Sequence, residues 1–230
     1  MLVSSSANAH FKLTVPSGAT VQDLIGGPQK SAPCGQSDTP NVVDESTPTN
    51  IVSTLTQGSM IDITITETIF HPGHYRVSIA QDLASLPQDP AVTPDANSAC
   101  GSTVIDATPS LPLLADGLLL HTSSLSGAQT MKVQLPAGMT CTNCVLQVVQ
   151  FMSNHPLNNP GGCYYHHCAT VTINAEGTDA GATAGGDAGL AVDEPSGGCC
   201  STGGSSGVER VGSLLVGLVL VRRRRSSWRV

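Results

Sequence analysis

Residues 60–68 read MIDITITET, and this stretch decides the fold class. Its three isoleucines alternate with polar residues at a period of two. That spacing places every second side chain of a β-strand on one face, so the isoleucine face is expected to be buried in the core and the other face exposed to solvent. The same period returns at residues 75–80 (YRVSIA). Residues 70–74 (FHPGH) break it and predict a turn between two strands.

The rest of the chain repeats this pattern without any helical stretch. Further strands are predicted at residues 11–15 (FKLTV), 130–135 (TMKVQL), 145–152 (VLQVVQFM) and 164–173 (YYHHCATVTI). Residues 111–120 are apolar but contain Pro112 and Gly117, which indicates a buried strand pair or an edge. With only 12% charged residues, the composition favours an all-β domain.

Loops and cysteines indicate a disulfide-stapled domain. Residues 26–35 (GGPQKSAPCG) predict an ordered loop tied down by Cys34, and residues 81–110 predict a long surface excursion that Cys100 can staple to the body. The even count of eight cysteines is typical of an oxidising compartment. Cys141 and Cys144 lack the setting of a thioredoxin-like or zinc site, so structural disulfides are favoured. Their pairing stays open, with Cys34 to Cys100 as one candidate.

Charge and missing motifs exclude several functions. The net charge of -7 includes a run of four arginines at residues 222–225, so the chain before that run is more acidic still. Such a domain is a poor partner for nucleic acid. The chain has no nucleophile elbow, phosphate-binding loop or zincin motif, which leaves a hydrolase without support.

The two ends of the chain read as export and sorting segments. Residues 1–9 (MLVSSSANA) end in the small-x-small form of a signal-peptidase site, so they are interpreted as a signal peptide remnant. Residues 10–175 are the predicted domain and 176–207 a Gly/Ala/Ser-rich linker. Residues 208–230 combine an apolar run with arginines and predict a sorting tail with transient membrane contact. We therefore expect a secreted or cell-surface protein.

Cleavage after residue 9 would make His10 the N-terminal residue, which gives it unusual chemistry. A terminal histidine offers an imidazole nitrogen and a free amine, and a second histidine completes a three-nitrogen copper site, the histidine brace. His71 and His74 are the candidates for that second histidine. A helix carrying both is excluded by the Pro-Gly between them, so one of them is the expected ligand.

The remaining histidines are given smaller roles. His166 and His167 are neighbours on one strand and point to opposite faces, which argues against a shared metal. Tyr165 shares a face with His167, and its side chain can point toward the core and toward a site at the edge of the core. His121 and His155, isolated in loops, are expected to be solvated.

The motifs around His10, residues 26–35, the stretch ETIFHPGHYRVSIA, CTNCVLQVVQFM and CYYHHCATVTI occur in an order that resembles the lytic polysaccharide monooxygenase-like proteins. The match is best to the myxobacterial branch, and residues 197–225 resemble the myxobacterial C-terminal sorting tag. Pattern and resemblance together imply an antiparallel immunoglobulin-like or fibronectin III-like β-sandwich with long loops.

The resemblance also implies a site. His10 and His71 match the two brace histidines that hold copper, and Tyr165 matches the axial aromatic position. Related families carry glutamine two residues before that tyrosine, where this chain has Cys163. The partner is therefore missing or supplied by another polar residue, for which the candidates are Gln147, Gln150 and Glu67. We take Gln150, with Tyr165, as the catalytic pair.

The implied activity is copper-dependent oxidative cleavage of glycosidic bonds in chitin, cellulose or hemicellulose, with an external electron donor. Aromatic residues make up only 3% of the chain, and Tyr75 is one of the few that could be exposed for stacking on a sugar. Two alternatives remain: a secreted copper-handling protein that does not oxidise polysaccharide, and a structural surface domain whose His10 is never exposed by cleavage.

Overall fold

The computed structural model describes residues 10–177, which form two β-sheets packed face to face. The strands are β1 His10–Val15, β2 Val52–Thr56, β3 Met60–Ile69, β4 Gly73–Ala80, β5 Val92–Thr93, β6 Ser102–Thr103, β7 Leu113–His121, β8 Ala128–Gln134, β9 Cys141–Met152 and β10 Tyr164–Asn174. Within these residues the helical content is one 3-10 turn at Leu83–Ser85, and no helix there could span a bilayer.

The predicted all-β sandwich is confirmed. One sheet has the order β1-β3-β8 and the other β2-β10-β9-β4-β7, while β5 and β6 form a separate two-stranded ribbon. All pairs are antiparallel except β2 and β10, which run parallel. Strand β2 was not predicted, because residues 52–56 lie at a sheet edge and are mostly exposed or half-buried, so their sequence carries little apolar alternation.

The core lies between the two sheets and follows the period of two seen in the sequence. Ile63 and Ile65 on β3 are fully buried, and they belong to one cluster with Val77 on β4, Val148 on β9 and Val171 on β10. Burying each such side chain contributes about 1.5–3 kcal/mol. The buried isoleucine face of residues 60–68 therefore packs between the two sheets, as predicted.

Three disulfides connect the long loops to the strands. Cys34 pairs with Cys168, Cys100 with Cys163, and Cys141 with Cys144. The structural role predicted for the cysteines is confirmed, but the candidate pairing of Cys34 with Cys100 is wrong. Cys34 and Cys168 pack in one small cluster and Cys100 and Cys163 in another, because the loops that carry Cys34 and Cys100 cross different parts of the five-stranded sheet.

The excursion of residues 81–110 covers the outer face of the five-stranded sheet. Asp89 accepts from the Nε2 of His166, at 2.9 and 3.0 Å for its two oxygens. The hydroxyl of Tyr164 donates to the carbonyl of Pro90 at 3.0 Å. Leu86 of the excursion packs in one small cluster with Ala80 of β4. Because the outer face of β4 is covered in this way, every residue of the strand is buried, although only one of its faces points into the core.

The predictions for residues 1–9, the linker beyond residue 177 and residues 208–230 lie outside the described residues. The apolar stretch at residues 111–120 becomes strand β7, which forms one edge of the five-stranded sheet. The prediction of an edge strand is therefore confirmed for that stretch.

Candidate functional site

The site is built where β1 meets the turn between β3 and β4. His10 is the first residue of β1 and pairs with Ile69 at the end of β3. His71 follows two residues later, in the turn before β4. Both histidines are buried, with 3% and 4% of their surface exposed. The fold therefore brings the two histidines singled out in the sequence to one edge of the sandwich.

The loop of residues 26–35 holds the beginning of β1 in place. The Phe11 N–H donates to Oε1 of Gln29 at 3.2 Å, and the carbonyl of Gln29 accepts from the N–H of His166 at 2.7 Å. Gly26 has a φ of +108°, and a Cβ there would lie 2.1 Å from the carbonyl oxygen of Phe11. Only glycine allows this approach, so His10 is fixed between β3 and an ordered loop.

Tyr165 packs against His10. Their ring centroids are 5.3 Å apart, and burial raises the pKa of the tyrosine hydroxyl above its ordinary value. The side chain shares the inner face of β10 with His167, whose Nε2 donates to the carbonyl of Phe11 at 3.0 Å. The face predicted for Tyr165 is therefore the observed one.

His155 belongs to this site, and the prediction that it is solvated is wrong. It is 2% exposed, and its ring centroid lies 4.7 Å from that of His71 and 6.4 Å from that of Tyr165. Strand β9 pairs with β4 so that Met152 lies beside Gly73, and the connection after β9 must emerge next to the His71 turn. The register between β9 and β4 cannot be read from the sequence, so the position of His155 beside His71 was not predicted.

Burial, more than neighbouring charges, keeps His71 neutral. Burial, followed by the charges of His155 and His10, lowers the pKa of His71 to about 4, although Glu67 acts in the opposite direction. The Nδ1 atom of His71 is buried and has no hydrogen-bond partner among residues 10–177. At neutral pH this imidazole is in the form that binds metals.

His121 also contributes to the site, against the prediction of a solvated loop residue. It ends β7, is 9% exposed, and its Nε2 lies 3.0 Å from Oε1 of Glu67. Burial lowers the pKa of His121, but hydrogen bonds to Glu67 and to the carbonyl of Leu119 outweigh it and raise the pKa overall. Glu67 thus lies within the site, as one of the three polar candidates named above.

Gln150 occupies the core between two tyrosines. It pairs with Tyr165 on β10 and with Tyr75 on β4, and all three residues are 0% exposed. Tyr75 is therefore no stacking platform, which corrects the expectation that it could be exposed. Gln147 lies on the opposite face of β9, where its Nε2 donates to the carbonyl of Pro33 at 2.8 Å, and it takes no part in the site.

The other histidine candidate points away from His10. His74 lies on the outer face of β4, with its Nε2 3.5 Å from Oδ1 of Asp116. His71 thus lies in the turn that follows Ile69, the residue with which His10 pairs, whereas His74 faces the outer side of β4. His166, bound to Asp89, faces the same outer side, which agrees with the opposite orientations predicted for His166 and His167.

Side chains alone do not form a metal centre here. Across residues 10–177, no three His, Cys, Asp or Glu side chains come together in a group that could hold a metal ion. His10 and His71 offer two imidazoles at one buried edge. A third nitrogen at this place requires the amino group that cleavage before His10 would create.

No family model matches the chain, and no curated protein matches it at a significant level. Three solved structures are similar to it at low identity. One is a lytic polysaccharide monooxygenase AA15 from Thermobia domestica in the Cu(I) state, with 18% identity over 72% of this chain and 99% of that one and a TM-score of 0.46. A chitin binding domain from Burkholderia pseudomallei has 10% identity over 73% of this chain and 100% of that one, with a TM-score of 0.38. An AA10 lytic polysaccharide monooxygenase from Streptomyces lividans has 11% identity over 71% and 99%, also with a TM-score of 0.38. Two of these three structures are lytic polysaccharide monooxygenases, and the third is a chitin binding domain.

Proposed function

We propose that this protein is a secreted, copper-dependent monooxygenase that oxidises glycosidic bonds of a polysaccharide, and that its mature chain begins at His10. The observation that carries the proposal is the meeting of His10 and His71 at one buried edge, with the ring of Tyr165 5.3 Å from that of His10. A brace needs two histidines from distant positions in the chain, and the pairing of β1 with β3 brings these two together.

The donor set fits copper. Imidazole and amine nitrogens are the ligands that copper takes in tetragonal geometry. His10, through its ring and its amine, and His71 would hold the ion, and the buried Nδ1 of His71 has no other partner in residues 10–177. Bound copper supplies one-electron redox chemistry toward oxygen or peroxide, with electrons from an external donor.

The surrounding side chains control access and protons. Tyr165 covers one side of His10, and its raised pKa keeps the phenol protonated at neutral pH. Asn158 acts against this shift and lowers the pKa of the hydroxyl, but burial outweighs it. His155, next to His71, places a second imidazole where it can exchange a proton with a reactant. Gln150, beside Tyr165 on the neighbouring strand β9, is proposed to limit the positions that the phenol can take by packing next to it.

Export is part of the proposal. Three disulfides among the described residues are typical of proteins that fold outside the cytosol. We propose that residues 1–9 are removed, that residues 10–175 form the copper domain, and that residues 176–207 link it to a sorting tail at 208–230.

A second candidate, a copper-handling protein without polysaccharide oxidation, is favoured by one observation. All three tyrosines are buried, and Phe70, at 37% exposed, is the most exposed aromatic side chain in residues 10–177. A flat aromatic surface for stacking on sugar rings is therefore lacking in this part of the chain. Binding of polysaccharide would have to rely on polar and aliphatic contacts.

The test uses the full chain processed to begin at His10, with the new N-terminus verified by intact mass. Copper(II) titration should give one tight site, which is lost in His71→Ala and weakened when Ala9 is retained as an extra residue. Copper-loaded protein with ascorbate should then release oxidised oligosaccharides from chitin, cellulose or xylan. Tight copper binding without such products would select the copper-handling function, and a natural N-terminus other than His10 would reject both.

A further inference from the structure

Glu67 places a carboxylate at a position where the strand pattern calls for an apolar side chain. It follows Ile61, Ile63 and Ile65 at the same period of two on β3, so it points into the sandwich. Its side chain is 2% exposed. Burying a carboxylate costs several kcal/mol unless hydrogen bonds or an opposite charge offset the lost hydration.

Three donors from three separate segments meet on this carboxylate. Oε1 accepts from the Nε2 of His121 at 3.0 Å and from the backbone N–H of His71 at 3.4 Å. Oε2 accepts from the backbone N–H of Leu125 at 2.9 Å. These donors belong to the end of β7, the turn before β4, and the loop between β7 and β8.

His121 fixes the carboxylate to the end of β7. Its Nε2 faces the Glu67 carboxylate at 3.0 Å, and its Nδ1 faces the carbonyl of Leu119 at 2.7 Å. That carbonyl can only accept, so Nδ1 carries a hydrogen. With a hydrogen bond at each ring nitrogen, His121 holds Glu67 against the end of β7.

We infer that Glu67 is a positioning residue that fixes the backbone of His71, and with it the second copper ligand of the proposed brace, against the end of β7 and residues 122–127. Only the part of this inference that concerns copper binding rests on the proposed function. Partners that orient a ligand typically change metal affinity by about 10- to 100-fold when they are removed. Glu67 acts through the His71 backbone and does not touch the metal.

Glu67→Gln is the sharpest test because it keeps the shape of the side chain. The amide has one acceptor and one donor end, so its NH₂ group must face either Leu125 N–H or the donors of His71 and His121. The matched control is Asp62→Asn, the same change on the same strand. Asp62 lies on the exposed face, where it pairs with Lys132 at 2.7 Å.

Two readouts are made on the full chain. In the processed protein, Glu67→Gln should weaken copper(II) binding at least tenfold and alter the copper electron paramagnetic resonance spectrum, whereas Asp62→Asn leaves both unchanged. In the copper-free protein, hydrogen exchange should become faster at the amides of His71 and Leu125 in Glu67→Gln alone. Glu67→Asp, whose shorter carboxylate cannot reach all three donors, gives the same two readouts if the glutamine variant does not fold.

The outcomes separate the inference from the function. Unchanged exchange at both amides, with unchanged copper affinity, overturns the role of Glu67 while the proposed function stands. If the parent protein fails to bind copper, the proposed function falls. The exchange data then decide by themselves whether Glu67 holds the His71 turn.

Discussion

The imidazole of His155 packs against that of His71 with 4.7 Å between the ring centroids. The two residues are far apart in the chain and on different loops, yet each limits the space and the charge available to the other. The pKa of His71, about 4, reflects burial first and the neighbouring His155 second. This pair therefore gives the first prediction.

Replacing His155 by alanine should raise the pKa of His71. The change removes a neighbouring positive charge and opens the His71 ring to water, and both effects favour the protonated imidazole. The measurement is an NMR titration of the His71 ring in the uncleaved, copper-free chain. His74→Ala, on the outer face of β4, is the control and should leave the His71 titration in place. An unaltered pKa in His155→Ala would mean that the packing between the two rings is not maintained in solution.

The second prediction concerns His167 and acid stability. Burial lowers the pKa of this fully enclosed imidazole to about 4. Between pH 6.5 and 4 the unfolded chain binds a proton at this position and the folded chain does not. The free energy of unfolding therefore falls as the pH is lowered through this window, by about 2–3 kcal/mol from His167, and no further loss from this group occurs below it.

Urea unfolding at pH 7.5 and pH 4.5 measures this loss. His167→Gln keeps a donor for the carbonyl of Phe11 and carries no titrating group, so the difference between the two pH values should shrink by that amount. Other buried groups titrate in both proteins, and the comparison removes their contribution. Equal differences in the parent and the variant would contradict the burial of a neutral His167.

The third prediction ranks the disulfides. Cys34–Cys168 and Cys100–Cys163 span 134 and 63 residues, whereas Cys141–Cys144 spans three. Loop-closure entropy assigns about 4–5 kcal/mol to each long bridge and less than about 2 kcal/mol to the short one. Paired Cys→Ala variants compared by urea unfolding should show this order. Comparable losses for all three would indicate that strain or local packing dominates.

Sequence reasoning predicted most of the strands because their apolar residues alternate where one face is buried. It failed for β2, an edge strand that pairs in parallel with β10 and has little to bury. Periodicity also gave the inward faces of Tyr165 and of residues 60–68. The sequence signal was therefore strong wherever a strand separates the core from solvent.

The candidate site was predicted only in part. His10 and His71 were named as candidates from local motifs, and that choice stays a prediction. The pairing of β9 with β4, which places His155 beside His71, depends on register between distant strands. His121 was missed for the same reason, since its partner Glu67 lies 54 residues earlier in the chain. The sequence did contain one sign of the Glu67 cluster, namely a carboxylate on the dry face of β3.

The last prediction concerns Gly73, the first residue of β4. A Cβ at this position would lie 1.8 Å from the carbonyl oxygen of Phe151 on β9, so Gly73→Ala must push the two strands apart. We expect a loss of about 3 kcal/mol or more in the free energy of unfolding, the upper range for overpacking. The displaced turn should also weaken copper binding, because His71 lies two residues away.

Gly127→Ala is the matched control for Gly73→Ala. Gly127 has a φ of +68° but no atom within 4 Å of its Cβ, so its substitution should cost about 1 kcal/mol through backbone strain alone. Urea unfolding and copper titration of the two variants measure the difference. If Gly73→Ala were as mild as Gly127→Ala, the close approach of β4 and β9 at the site would be wrong.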